Sequence, residues 1–187
     1  MRKIFKVIIA VFVLLIVVGV ASMSLVFLDV AGNLATDTHP LPNGAPIGQA
    51  IVIYDPGLSG GAKDTATKIG YNLQTAGYNV VLAGVKSQTV ANLTGYDVVV
   101  VGGPIYGGKP ASSIQTYLSS FSPASNVRVG VFGYGSIQID NSNQTAVQQD
   151  VAPLSADSTV HINTAVKVVS GGNVDGDCQD FVNRLLA

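Results

Sequence analysis

From Val7 to Leu28 the chain runs 22 residues without a charge. At about 1.5 Å of rise per residue, a helix of that length covers roughly 33 Å, enough to cross a hydrocarbon core of about 30 Å. Residues 1–30 are therefore read as an N-terminal transmembrane anchor. The rival reading is a cleaved secretory signal, with Arg2, Lys3 and Lys6 as its basic flank and Ala21, Ser22, Met23 and Ser24 as small residues near its end. Signal cores usually run only about 7 to 15 apolar residues, which favours the anchor. The basic residues all precede the span, whereas Asp29 and Asp37 are the first charges after it and the next Lys is Lys63. The positive-inside rule then places the N-terminus in the cytoplasm and the remainder outside. Two Asn-x-Thr triplets, at Asn92 with Thr94 and Asn143 with Thr145, are compatible with that location.

Residues 31–48 carry Pro40, Pro42 and Pro46 and no apolar period, so they read as an extended Pro/Gly-rich tether, with His39 a solvated residue on it. Residues 49–187, about 140 in number, are enough to bury close to 70% of their unfolded surface and fold alone. Charged residues make up 11% of the chain, and from residue 31 onward 7 Lys plus Arg face 10 Asp. Nucleic acid is not an expected partner of such a surface. The single Cys excludes a disulfide framework, and neither His has a Cys or second His at ligand spacing, so no metal site is expected.

Within 49–187, short β-branched runs alternate with helical patterns. Gln49–Tyr54, Asn79–Ala83, Asp97–Val101, Val127–Gly133 and Ala165–Ser170 read as five strands. Helical spacing appears at Ala62, Ala66, Ile69 and Leu73, at Ile114, Tyr117, Leu118 and Phe121, at Ala146, Val147 and Val151, and at Cys178, Phe181, Val182 and Leu185. Asn141 or Ser142 is the expected cap of the third of these helices. The uniformly apolar Asp97–Val101 run suits a strand covered on both faces, and the alternation predicts a doubly wound α/β domain with right-handed crossovers. Ligands of such sheets bind beyond the carboxyl ends of the strands. The loops there, Tyr54–Thr65, Gly102–Pro110 and Gly133–Ser136, are all rich in Gly.

The element order and the string Gly102-Gly103-Pro104-Ile105-Tyr106-Gly107-Gly108 resemble the flavodoxin family over roughly residues 49–187. The resemblance implies a five-stranded parallel sheet of order 2-1-3-4-5 and an FMN bound at its switch point, flavodoxin being the standard example of FMN in that place. It implies that Ser59, Gly60, Gly61, Lys63 and Thr65 hold the phosphate at a helix N-terminus, and that Pro104, Ile105, Tyr106, Gly107, Gly133, Tyr134 and Gly135 surround the ring, with the two Tyr stacking on or beside it. The first loop departs from the family's hydroxyl-rich pattern: it is longer, and Asp55, Pro56 and Leu58 stand where they would crowd or repel a phosphate. The resemblance implies electron transfer with a redox partner protein or a quinone at the membrane, as carrier or as reductase. A flavodoxin-fold binding or assembly module without FMN is the alternative.

Gly57-Leu58-Ser59-Gly60-Gly61 also satisfies the G-x-S-x-G nucleophile pattern, with Ser59 as nucleophile and His161 as base. Against this serine hydrolase, the motif follows the first strand of a small domain, and His161 is expected in the irregular stretch before the fifth strand. Gly60-Gly61-Ala62-Lys63 lacks the first Gly and the following Ser or Thr of a phosphate-binding NTPase loop. Cys178, on the apolar stripe of the last helix, is expected to be a packed small hydrophobe.

Overall fold

The computed structural model describes residues 2–30, 35–155 and 157–187. Its first element is the helix α1 (Arg2–Val30). Ile4–Leu28 within it is long and apolar enough to cross a membrane, with a mean hydropathy of 3.1 in its most apolar window and none of that window buried. An apolar helix exposed all round has found no protein core to enter, which is what a bilayer-crossing segment requires.

The remaining elements are β1 (Thr38–Leu41), β2 (Gly48–Tyr54), α2 (Gly61–Thr75), β3 (Tyr78–Gly84), a 3-10 turn (Gln88–Ala91), β4 (Val98–Tyr106), β5 (Lys109–Pro110), α3 (Ser112–Ser120), β6 (Arg128–Gly135), α4 (Gln144–Val151), β7 (Thr164–Val169) and α5 (Val174–Leu186). The sheet runs β1-β3-β2-β4-β6-β7, with β5 a short hairpin partner of β4. The five parallel strands follow the expected 2-1-3-4-5 order. The difference is β1: four residues of the expected tether pair antiparallel with β3, Thr38 opposite Ala83 and Leu41 opposite Val80. Thr-His-Pro-Leu carries no alternating pattern, because β1 lies at an edge and leaves Thr38, His39 and Pro40 exposed. Of the tether, residues 31–34 lie outside the described residues.

Strand side chains alternate between two cores. Ile51, Ile53, Val99, Val101, Val129 and Val131 face one layer, with Ile114 and Leu118 of α3 and Val147 and Val151 of α4. Ala50, Val52, Val98, Val100, Phe132 and Val166 face the other, with Ile69 and Leu73 of α2 and Phe181 and Leu185 of α5. Both faces are covered, which explains why β4 reads as an unbroken valine run. Phe181 is fully buried, and it fits because Gly130 leaves room: a Cβ there would stand 2.5 Å from the ring's Cζ. Truncating such a ring costs about 3 to 5 kcal/mol. Cys178 is buried on the same stripe, and burial pushes its thiol up to about 12.

Strand β7 closes the far edge, and two side chains complete its hydrogen bonding. Asn141 Oδ1 accepts the Lys167 N–H at 2.9 Å while Asn141 Nδ2 donates to the Lys167 carbonyl at 3.0 Å. Gln144 Oε1 accepts the Ala165 N–H at 2.8 Å and the Thr164 hydroxyl at 3.0 Å. With Asn141 occupied in this way, the cap of α4 falls to Asn143, whose side chain accepts the Ala146 N–H at 3.2 Å. Lys167 itself is buried, and its Nζ pairs with Asp150 Oδ2 at 2.7 Å.

Candidate functional site

Three loops gather at the carboxyl ends of β2, β4 and β6. The first begins at Asp55, whose N–H bonds the Gly102 carbonyl at 3.1 Å, stitching the loop to β4. Asp55 turns inward and is 1% exposed. It accepts the Ser113 hydroxyl and, at 3.1 Å, the Gly57 N–H. The carboxylate expected to repel a phosphate is therefore spent on holding the loop to the start of α3. Sequence reasoning missed Ser113 as its partner, since a Ser in the first turn of a helix carries no signal of a contact 58 residues away.

Gly57 and Gly60 both have positive φ, 66° and 75°, which lets the loop turn twice before α2 begins. Helix α2 opens on Gly60 with no side-chain cap. Its first-turn N–H groups thus carry the partial positive charge of a helix start with no acceptor from the cap residue itself. A Cβ on Gly60 would meet nothing within 4 Å, so a ligand has free approach to the backbone there. Ser59 is exposed and its Oγ accepts the Gly61 N–H at a long 3.4 Å.

Both tyrosines converge on this loop. The Tyr106 hydroxyl accepts the Leu58 N–H at 3.3 Å, reached from a tight hairpin whose Gly107 and Gly108 have φ of 57° and 77°. Beneath it, Pro104 packs on Gly57, its Cβ 3.1 Å from where a Gly57 side chain would begin. Tyr134 lies against Gly61: a Cβ there would stand 2.2 Å from the ring's Cε1 and Cζ. Pro104, Tyr106 and Tyr134 therefore bracket residues 57–61 from two sides, bringing all three Gly-rich loops together.

Other expected site residues serve packing or pairing instead. Thr65 is fully buried and its hydroxyl donates back to the Gly61 carbonyl at 2.8 Å, so it is not a phosphate donor at the loop mouth. Lys63 Nζ reaches Asp37 Oδ2 at 2.9 Å, on the chain segment before β1. Ile105 points the opposite way from Tyr106, into the space above Gly133 and Gly135. A Cβ on Gly133 would lie 2.6 Å from Ile105 Cδ1 and 2.7 Å from Val151 Cγ1. That glycine admits a neighbouring side chain, and not the edge of a ring.

Asp37 was not a candidate from sequence, yet it organises the margin of the site. Its Oδ2 accepts from Lys63, from the Tyr54 hydroxyl at 3.1 Å and from His39 Nε2 at 3.0 Å. Burial acts to raise its pKa, but the hydrogen bonds from Lys63, His39 and Tyr54 outweigh it and hold the carboxyl below its ordinary value. Burial and the neighbouring Asp37 charge push the Tyr54 phenol well above its ordinary range.

The serine-hydrolase reading fails on placement. Ser59 follows the carboxyl end of β2, whereas His161 precedes the amino end of the parallel strand β7, so the two stand at opposite ends of the sheet, about 20 Å apart by strand length. Among the described residues no non-glycine has positive φ, so Ser59 lacks the strained backbone of a nucleophile turn. No metal-binding group of His, Cys and Asp occurs among the described residues.

No family model matches the chain, and no curated protein matches it in sequence. Solved structures do match. A short-chain flavodoxin associated with a bacterial microcompartment superposes with a TM-score of 0.54 at 18% identity, covering 75% of this chain and 97% of that one. The flavodoxin of Megasphaera elsdenii in its two-electron reduced form gives 0.56 at 17% identity, covering 73% and 97%. Rubredoxin oxygen:oxidoreductase of Desulfovibrio gigas gives 0.54 at 17% identity over 75% of this chain and 37% of its own. The fold is flavodoxin-like.

Proposed function

We propose that this flavodoxin-like chain is a membrane-anchored protein that binds FMN beside the start of α2 and passes electrons to or from a partner at the membrane. The observation that carries the reading is the uncapped α2 N-terminus at Gly60, open to an anion and flanked by Tyr106 and Tyr134. Backbone N–H groups at Ser59, Gly60 and Gly61 are the anion donors, the last two exchanging long 3.4 Å bonds to the Gly57 carbonyl and the Ser59 hydroxyl for the phosphate, and the helix start favours its charge. Bound there, FMN supplies the electron transfer, while the chain supplies placement and electrostatics. Tyr106 and Tyr134 offer aromatic faces on either side of the loop. Tyr134 moves off Gly61 to the extent that the ligand needs that space.

The anchor reading rests on α1 and its basic flank, with the N-terminus cytoplasmic and the domain outside. Protease added to intact cells is expected to remove the domain. Complete protection reverses the orientation.

The test of the cofactor is a visible absorption spectrum of the full detergent-solubilised chain with and without added FMN. The full chain is required because β1 belongs to the sheet. A flavin spectrum that persists through gel filtration, with a raised Tm, is expected; at ligand 100-fold above Kd the stabilisation is about 2.7 kcal/mol. A colourless protein with unchanged Tm leaves the second reading, a flavodoxin-fold binding module without FMN. That reading is favoured by the occupation of Leu58 N–H by Tyr106 and of Lys63 by Asp37.

A further inference from the structure

Only five Cα steps separate Val30, where α1 ends, from Ala35, and even fully extended they cover at most about 18 Å. Ala35 is not free to wander from the domain. It is fully buried, its carbonyl accepts the Lys86 N–H at 2.7 Å, and its backbone lies where a side chain on Gly84 would stand. Two residues on, the Asp37 carbonyl accepts the Gly84 N–H at 2.7 Å, and the Asp37 carboxylate holds Tyr54 and Lys63. The chain leaving the anchor is thus fastened to the carboxyl ends of β2 and β3.

That is the same rim on which the candidate site lies. Strands stand about 4.8 Å apart, so β3, β2, β4 and β6 place the site's loops within roughly 5 to 15 Å of the fastening point. The opposite end of the sheet is a strand length further away, about 20 Å. Among the described residues outside α1, five large hydrophobic side chains are exposed, and three of them, Leu58 (47%), Tyr106 (37%) and Ile137 (65%), lie on this rim. Ile47 lies at the opposite end and Tyr71 on α2. Lys86 and Lys109, both exposed, follow β3 and β4 on the tether side, while the exposed Asp140 and Asp175 follow β6 and β7. Asp64, in the first turn of α2, is the acidic exception near the tether. Tyrosine and lysine beside exposed aliphatic groups suit the headgroup region of a bilayer, where the ring and the ammonium meet water and lipid together.

We propose that the domain sits rim-down on the lipid surface that holds α1, with Leu58, Tyr106, Ile137, Lys86 and Lys109 as the contact, so that the site opens toward the bilayer. Resting on the anchored FMN reading, this limits electron partners to those dissolved or embedded in that membrane. The far end, with Arg128 and His161, points away from it.

The chain has no Trp, so single Trp reporters are unambiguous. Leu58→Trp and Ile137→Trp mark the rim, and Thr159→Trp marks the far end. Each full-length variant, without FMN, is reconstituted into phosphatidylcholine–phosphatidylglycerol vesicles carrying a headgroup spin label. Quenching of both rim reporters is expected to exceed that of Thr159→Trp at least threefold. Adding Lys86→Glu with Lys109→Glu is expected to reduce the rim quenching at least twofold. Equal quenching at both ends, or stronger quenching at Thr159→Trp, overturns the proposal. A chain that fails to float with the vesicles overturns it through its membrane premise. The FMN reading is judged separately by the absorption spectrum, which this measurement does not use.

Discussion

The glycines of the rim and the glycines of the strands look alike in the sequence and do opposite things. Gly60, Gly107 and Gly108 have positive φ and nothing within 4 Å of an added Cβ, so they bend the chain and leave room for a ligand. Gly61, Gly102 and Gly133 have ordinary φ, and the space a side chain would take is filled by Tyr134, by Phe132 and by Ile105 with Val151. A Gly-rich loop is therefore part opening and part packing, and only the neighbours across the fold tell which.

Substitution by Ala separates the two kinds. At Gly102 the added Cβ would lie 2.1 Å from the Phe132 carbonyl oxygen, a backbone atom of the neighbouring strand that cannot rotate aside. Gly102→Ala is expected to cost about 3 kcal/mol or more, seen as a fall in the urea midpoint at constant slope. Gly133→Ala meets side chains that can shift, so a loss of about 1 to 3 kcal/mol is expected by the same measurement. Gly60→Ala meets no atom and pays only for its left-handed backbone, about 1 to 2 kcal/mol. If Gly60→Ala destabilises more than Gly102→Ala, the division into open and packed glycines is wrong. Because its methyl intrudes on the open approach to α2, Gly60→Ala is also expected to weaken FMN binding measured by flavin fluorescence.

Smaller effects test the margin of the rim against its core. Asp37 has a folded pKa below the ordinary 3.8, so its contribution is fully present above that value and is lost as the pH falls through the lower folded one. Amides of β1 and of Gly84 are expected to exchange faster at pH 3 than at pH 6 after correction for intrinsic rates, while those of β4 stay protected. Asp37→Asn is expected to remove that difference, and a pH dependence that survives the substitution assigns it to another group. Least affected is Cys178: with its thiol pushed up to about 12, it is expected to resist a thiol reagent at pH 8 until urea unfolds the domain.

The five parallel strands were legible because a sheet covered on both faces demands unbroken β-branched runs, and their ends were found within a few residues; β4 extends furthest beyond its run, to Tyr106. Strand β1 was not legible, since an exposed edge strand asks nothing of its side chains. At the site, the gathering of the three Gly-rich loops at one end of the sheet followed from their position after the strand ends. What sequence did not show were the long-range partners: Asp55 with Ser113, Lys63 with Asp37, and Ile105 over Gly133. Each is a contact between residues more than 25 positions apart, and no local pattern records it.

The side chains that finish the sheet at β7, and the brief, proline-containing β1 at its other margin, have a consequence for the anchored arrangement proposed above. Under that proposal, copies held in one membrane would meet far more often than in free solution, and a bare strand would let them zip together side by side. Asn141 and Gln144 take up backbone groups that such a neighbour would use, and Pro40 offers no N–H on the opposite flank. Crowding in the plane of the membrane therefore need not become polymerisation.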